Sequence, residues 1–250
     1  MKKNYNISNI YGINSLNAAL DLYPQNIFDI HICQDIENTR IKEIINKIKE
    51  LGINYTSSSK ELIFKLSKNK KHQGIFAKIK LINIGGFSNL KDYLVNNNMD
   101  VDTILILDSV QDPQNLGSCI RTAAAAGVRI IVLNKNSSAP INEHVINSSV
   151  GALFNIKIFY VSNLINSINL IKEFDYWIYG LDGLAENSIF LTKFTKKTAL
   201  IMGSEGTGMR KLTKQKCDVL INIPMVSSIE SLNVSVSSGI ALFEINRQRI

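Results

Sequence analysis

Three polar segments of this 250-residue chain bring carboxamide, carboxylate, hydroxyl and guanidinium groups together with glycines. These are the residue types that orient a polar ligand while letting backbone amides approach it. The first runs Asp108-Ser109-Val110-Gln111-Asp112-Pro113-Gln114-Asn115-Leu116-Gly117-Ser118-Cys119-Ile120-Arg121. Asp112-Pro113 is a turn signal, Asn115 can cap a helix beginning at Leu116, and Arg121 then lies about one and a half turns inside that helix. The second is Gly203-Ser204-Glu205-Gly206-Thr207-Gly208-Met209. It is not G-x-G-x-x-G, and no G-x-x-x-x-G-K-[ST] occurs, which disfavours a Rossmann dinucleotide site and a P-loop. The third runs from Pro224 through Ser231-Leu232-Asn233 to Val236 and leads into a helix carrying Val236, Ile240, Leu242 and Phe243. Taken singly, each segment also reads as a capped helix, a flexible turn or another helix cap.

What makes the three more specific together is the type of element before each. Residues 104–107, 130–133, 199–202 and 219–223 are continuous apolar runs, the pattern of strands buried on both faces, and helical stretches such as 116–126 separate them. The spacing predicts a parallel sheet covered by helices, and such sheets bind ligands beyond the carboxyl ends of their strands. The front of the chain differs. Residues 28–33 alternate as a strand, Ile41, Ile44, Ile45 and Ile48 form one helical stripe that Gly52 ends, a helix follows over 60–66, and Ile75, Ala77 and Ile79 alternate with Lys78 and Lys80. This predicts a small α/β domain over residues 1–81 and a linker over 82–102, marked by Gly85-Gly86 and Asn96-Asn97-Asn98. A second α/β domain then covers 103–250.

Net charge is +7. That favours a polyanionic partner, although the Ile-, Asn- and Lys-rich composition supplies much of the excess lysine. Cys33, Cys119 and Cys217 form neither a CxxC pair nor a zinc pattern, so no metal is expected. No run approaches the roughly 18 uncharged apolar residues of a membrane span, and no signal core follows Met1, which together predict a cytoplasmic protein. His144 reads as a surface residue, His31 as structural, His72 as ambiguous and Trp177 as a core residue that could alternatively stack a base.

The three polar segments together resemble the motifs of the SpoU/TrmH-type RNA ribose 2′-O-methyltransferases of the SPOUT superfamily. The front of the chain, with Tyr11-Gly12-Ile13-Asn14-Ser15 and His72-Gln73-Gly74-Ile75, is similar to the ribosomal-protein-like RNA-binding domain of one bacterial branch. That branch methylates a guanosine of 23S rRNA in the peptidyl-transferase loop, and its C-terminal segment resembles Leu242-Phe243-Glu244 through Arg247-Gln248-Arg249. The resemblance implies a trefoil knot in the C-terminal domain, a homodimer with its site near the subunit interface, and S-adenosylmethionine as methyl donor, held by backbone groups at Gly203, Ile223 and Leu232. It also implies catalytic positions at Asn115, Arg121, Glu205, Ser231 and Asn233. Two departures are Phe154, where this branch tends to be acidic, and Asn69-Lys70-Lys71 ahead of His72.

A ribose hydroxyl is a poor nucleophile that must lose its proton while attacking a sulfonium methyl group in line, so orientation and alkoxide stabilisation are the main tasks. Arginine holds its protons too firmly to be a good base, which makes Arg121 a stabiliser of the alkoxide and a phosphate contact. Methyl transfer from a sulfonium needs no Lewis acid. Other readings are a tRNA 2′-O-methyltransferase, a non-catalytic RNA-binding or ribosome-assembly protein, and a dehydrogenase. The dehydrogenase lacks its fingerprint, and an inactive relative would be expected to have eroded the polar motif residues.

Overall fold

The computed structural model describes residues 7–34, 38–68, 71–81, 84–226 and 231–250. Within it the chain divides into two units, one of residues 1–83 and 141–155 and the other of 84–140 and 156–250.

In the first unit the alternating apolar positions build β1 (Ile7–Tyr11), β2 (Ile27–Cys33), β3 (Tyr55–Ser58) and β4 (Ile75–Lys80), ordered β1-β4-β2-β3. Three helices, α1 (Ile13–Leu22), α2 (Thr39–Glu50) and α3 (Lys60–Ser67), accompany them. The Ile41/Ile44/Ile48 stripe of α2 is buried as its period requires, and Gly52 follows that helix at φ +67°. On α3, Ile63 and Leu66 pack over Phe76 and Cys33. Residues 141–155 belong to this unit although they fall inside the expected C-terminal domain. Their helix α6 (Glu143–Ser148) reaches β1, where Asn9 Nδ2 donates to Glu143 Oε2 and the Tyr11 amide to Asn147 Oδ1, each at 3.0 Å. Gly151, at φ +85°, presses on α1: a Cβ there would stand 2.8 Å from Ala18 Cβ and 2.9 Å from the Asn14 carbonyl oxygen. The small-residue run 148–152 is thus a packing surface.

The second unit holds α4 (Phe87–Asn96), β5 (Asp102–Leu107), α5 (Pro113–Ala125), β6 (Ile130–Asn134), β7 (Lys157–Val161), α7 (Leu164–Lys172) and β8 (Trp177–Leu181). After these come β9 (Asn187–Ser188), β10 (Lys197–Met202), α8 (Lys211–Lys214), β11 (Val219–Asn222) and α9 (Val234–Arg247). All seven strands pair in parallel, in the order β7-β6-β5-β10-β8-β11-β9. The residues expected as a linker contain α4, whose Leu90 and Leu94 are buried in the core of this unit and whose Tyr93 ring lies 5.8 Å from that of Phe159. The polar residues interspersed in 87–96 masked a helix that uses only a narrow apolar stripe.

From β5 the chain steps outward to β6 and β7, then crosses to β8 on the other side, so the order reverses between β5 and β10. That reversal opens a crevice at the carboxyl ends of these strands. Residues 227–230, within the C-terminal domain for which the resemblance implies a trefoil knot, lie outside the described residues, as do Asn69 and Lys70.

Candidate active site

All three polar segments leave strands at this end of the sheet. In the first, the helix begins earlier than its sequence signal suggested. Pro113 occupies N1, and Asp112 is the N-cap, its carboxylate accepting from the Asn115 amide at 3.0 Å. Asn115 therefore lies inside the first turn of α5, where its side chain is free for another task. Its Oδ1 accepts from Asn233 Nδ2 at 2.9 Å.

Asn233 does two things at once. Its Oδ1 caps α9 by accepting from the Ser235 amide at 2.9 Å, while its Nδ2 donates to Asn115 and also to Glu205 Oε1. The same Glu205 oxygen accepts from the Val234 amide at 3.2 Å, placing a carboxylate against the positive end of α9. Asn115, Glu205 and Asn233, far apart in sequence, thus form one network joining the three segments.

The loop that carries Glu205 is closed by reciprocal backbone bonds between Ser204 and Gly208, at 3.1 and 3.0 Å. Gly208 turns at φ +66°, and a Cβ on Gly203 would lie 2.1 Å from the Gly208 carbonyl carbon. The loop forms a wall between two cavities. One, about 320 Å³, is lined by Gly203, Ile223, Ser231 and Leu232, with Asp182 and Lys214 at its side. The other, about 400 Å³, is lined by Gln111, Asp112 and Asn115. Ser204 through Thr207 and Val234 line both. Sequence reasoning missed Asp182 and Lys214, which are ion-paired to each other. Burial raises the Asp182 carboxyl, but Lys214 and the Leu184 amide outweigh it and hold Asp182 below the usual range. Asp182-Gly183 after a short apolar stretch was the only sequence signal for this corner.

Arg121 is exposed on α5 and lines neither cavity. Cys119, one turn after Asn115, is buried, and burial pushes its thiol up to about 12, so it is a packing residue beside Ser238. Trp177 is 46% exposed at the start of β8, contrary to the core position expected for it, while its neighbours Tyr176 and Tyr179 are buried. His144 is exposed on α6, and His31 binds Ser58 and Asp29. His72 is buried and accepts the Gly74 amide on Nδ1 at 2.9 Å. None of the three histidines lines either cavity.

The profile of the SpoU rRNA Methylase family matches residues 102–243, which is more than half of the chain. The chain belongs to this family. A second profile, RNA 2′-O ribose methyltransferase substrate binding, matches residues 9–85 of the SpoU chain. Among curated relatives, the 23S rRNA (guanosine-2′-O-)-methyltransferase RlmB of Photorhabdus laumondii is 36% identical, covering 96% of this chain and 98% of its own. The protein of the same name from Escherichia coli K12 is 37% identical with the same coverage. The AdoMet-bound rRNA methyltransferase of Sinorhizobium meliloti superposes with a TM-score of 0.79 at 22% identity, over 98% of this chain and 88% of its own. The likeness to such structures shows that this SpoU chain has their fold. Among the described residues no cluster of His, Cys, Asp and Glu could hold a metal ion, and no helix is long and apolar enough to cross a membrane.

Proposed function

We propose that the chain transfers a methyl group from S-adenosylmethionine to a guanosine ribose 2′-hydroxyl of 23S rRNA, acting in the cytoplasm as a homodimer. The observation that carries this reading is the Asn115–Asn233–Glu205 network, set in the wall between two adjoining cavities. One cavity suits the methyl donor and the other a nucleotide.

The donor cavity fits its ligand on its own chemistry. Met202, Ile223 and Leu232 give it apolar surface, Gly203 and its loop expose backbone, and the Asp182–Lys214 pair supplies both signs of charge. That suits a molecule with a flat heterocycle at one end and an amino-acid zwitterion at the other. S-adenosylmethionine, when bound, supplies an electrophilic methyl group on a sulfonium. Gly203, Ile223 and Leu232 hold it there, and Ser231 lies at the edge of the same space.

Asn115 faces the second cavity and orients the ribose. Glu205 and Asn233 fix that carboxamide, because each hydrogen bond in the network leaves the next group one orientation. Arg121 stabilises the developing alkoxide and contacts a phosphate, its guanidinium staying protonated. Since Arg121 is exposed outside both cavities, this role needs the RNA or a second subunit to meet it. Val236 and Phe243, exposed at i and i+7 on α9, offer an apolar face for such a subunit. Residues 1–81 are the RNA-binding part. The near-full-length match to rRNA-modifying relatives favours rRNA over tRNA as substrate.

Methyl transfer from labelled donor to unmodified 23S rRNA, followed by mapping of ribose methylation in cells lacking the gene, tests the reading. An unchanged map removes the rRNA assignment; RNA binding without methyl incorporation leaves only a binding protein. Replacing Arg121 with Lys is expected to cut turnover steeply with no displacement of the pH profile, because an ammonium cannot reproduce a bidentate fork. Near-normal turnover with a displaced profile would instead make residue 121 the base.

A further inference from the structure

Beside the catalytic crevice, at the carboxyl ends of β6 and β7, lies a third cleft of about 250 Å³, lined among others by Asn134, Asn163, Arg210, Lys211 and Thr213. Its chemistry is that of an anion site. Arg210 uses Nη2 to reach Asp108 Oδ1 at 2.8 Å, which leaves Nε and Nη1 without a partner among the described residues. Lys211 is exposed beside it with no ion pair among the described residues, and the lining contains no carboxylate. Leu164 and Ile165, also in the lining, open the nine-residue helix α7, whose first amides have no intrahelical acceptor. Independently of the charges, Thr213 is only 1% exposed, lines the cleft, and has a hydroxyl without a hydrogen-bond partner among the described residues. A buried hydroxyl left unpaired costs stability unless a ligand engages it.

The cleft is tied to the crevice. Asp108, which holds Arg210, directly follows β5, and it also accepts the Arg210 amide at 3.1 Å and the Ser109 hydroxyl at 3.1 Å. Arg210 follows the glycine loop directly, so the cation and the Glu205 wall belong to one stretch of chain. We infer that this cleft binds a backbone phosphate of the substrate RNA, flanking the nucleotide to be modified. Arg210 and Lys211 supply the charge; the start of α7 and the Thr213 hydroxyl supply directed donors. The assignment rests on the RNA-methylating reading above and adds to it a second RNA contact within the catalytic unit.

The test uses the full-length protein and reads RNA binding separately from methyl transfer. Lys211→Glu is expected to weaken binding of a 23S rRNA fragment about five- to tenfold and to flatten the dependence of log Kd on log salt by about one unit. Donor affinity, measured calorimetrically, should stay unchanged. Asn163→Asp keeps the cap of α7, because aspartate caps as well as asparagine, yet places a negative charge in the cleft; it should weaken RNA binding similarly without lowering Tm. Unchanged RNA affinity and salt slope in both variants would overturn the inference, and inorganic phosphate binding alongside that result would mark an anion site that RNA does not use. If wild-type protein binds RNA through this cleft but transfers no methyl group, the functional reading fails while the cleft assignment stands.

Discussion

At the scale of single residues the informative position is Asn233, because its two side-chain atoms do separable jobs. Oδ1 caps α9 and Nδ2 ties Asn115 to Glu205. Asn233→Asp keeps the capping oxygen but replaces the donor with a second acceptor facing a carboxylate and a carboxamide oxygen. Stability should change by about 1 kcal/mol or less, since aspartate is a good cap, while turnover should fall on the order of 100-fold. Thermal unfolding and methyl transfer measured on the same preparation separate the two effects; equal turnover would remove the network from catalysis. His72 carries a pH prediction. The Gly74 N–H occupies Nδ1, which must be unprotonated to accept it, and burial, assisted by Lys60, lowers the pKa of His72 from its ordinary 6.5. A histidine held neutral in the folded state gives stability that is complete above the unfolded pKa and is lost as pH falls below it. Tm should therefore drop as pH falls below the unfolded value of 6.5, and the drop should be smaller in His72→Gln. An identical pH slope in the two proteins would show that His72 is not its source.

At the scale of elements, the glycine loop gives a controlled pair of substitutions. A Cβ on Gly203 would fall 2.1 Å from backbone carbon, so Gly203→Ala must open the Ser204–Gly208 closure. On Gly206 a Cβ meets nothing within 4 Å. Gly203→Ala should lower Tm by several degrees and weaken donor binding roughly tenfold or more, whereas Gly206→Ala should leave Tm within about 1 °C. Calorimetric unfolding decides it, and equal behaviour would mean that the loop is plastic. The buried strands at 104–107, 130–133 and 199–202 were legible because parallel strands covered on both faces read as unbroken apolar runs. The run at 219–223 was read the same way, but of β11 only Ile221 is buried, because this strand lies towards the edge of the sheet beside the two-residue β9. The helix α4 was not, since Leu90 and Leu94 sit among Ser, Asn, Lys and Asp and look like linker. Nor could pattern alone choose between Asp112 and Asn115 as cap; proline's fixed φ at N1 decides it. Position after predicted strands singled out the three segments, but capped helices and a flexible turn explained them equally well, and it was the resemblance to the SpoU/TrmH-type enzymes that named Asn115, Glu205 and Asn233 within them. Asp182, Lys214 and the Arg210–Asp108 pair were not, because their partners are set only by strand order.

At the scale of the whole catalytic unit, strand order makes the C-terminal helix the element that returns last and closes the site, so its two ends must both be fixed. Asn233 and Glu205 fix the N-terminal end. Arg249 fixes the other: its guanidinium donates to Thr103 Oγ1 and to the carbonyl oxygens of Asp102, Thr195 and Lys196, at 2.5, 3.1, 3.3 and 2.8 Å. Beside it the Gln248 side chain accepts the Phe194 amide and donates to the Thr192 carbonyl oxygen. One side chain thus joins the start of β5 to the approach to β10, and removing it takes away four hydrogen bonds at once, two of them, to Thr103 Oγ1 and the Asp102 carbonyl oxygen, part-buried. Arg249→Ala should cost about 2–3 kcal/mol, read as a lowered midpoint in urea. Arg249→Lys should recover only part, because an ammonium cannot span four acceptors in a plane. Because α9 also presents Asn233, the Ala variant should lose methyl transfer on mild heating at temperatures where its sheet is still folded by circular dichroism. Simultaneous loss of activity and sheet would mean that α9 and the sheet unfold as one cooperative element, with no separate role for the C-terminal latch.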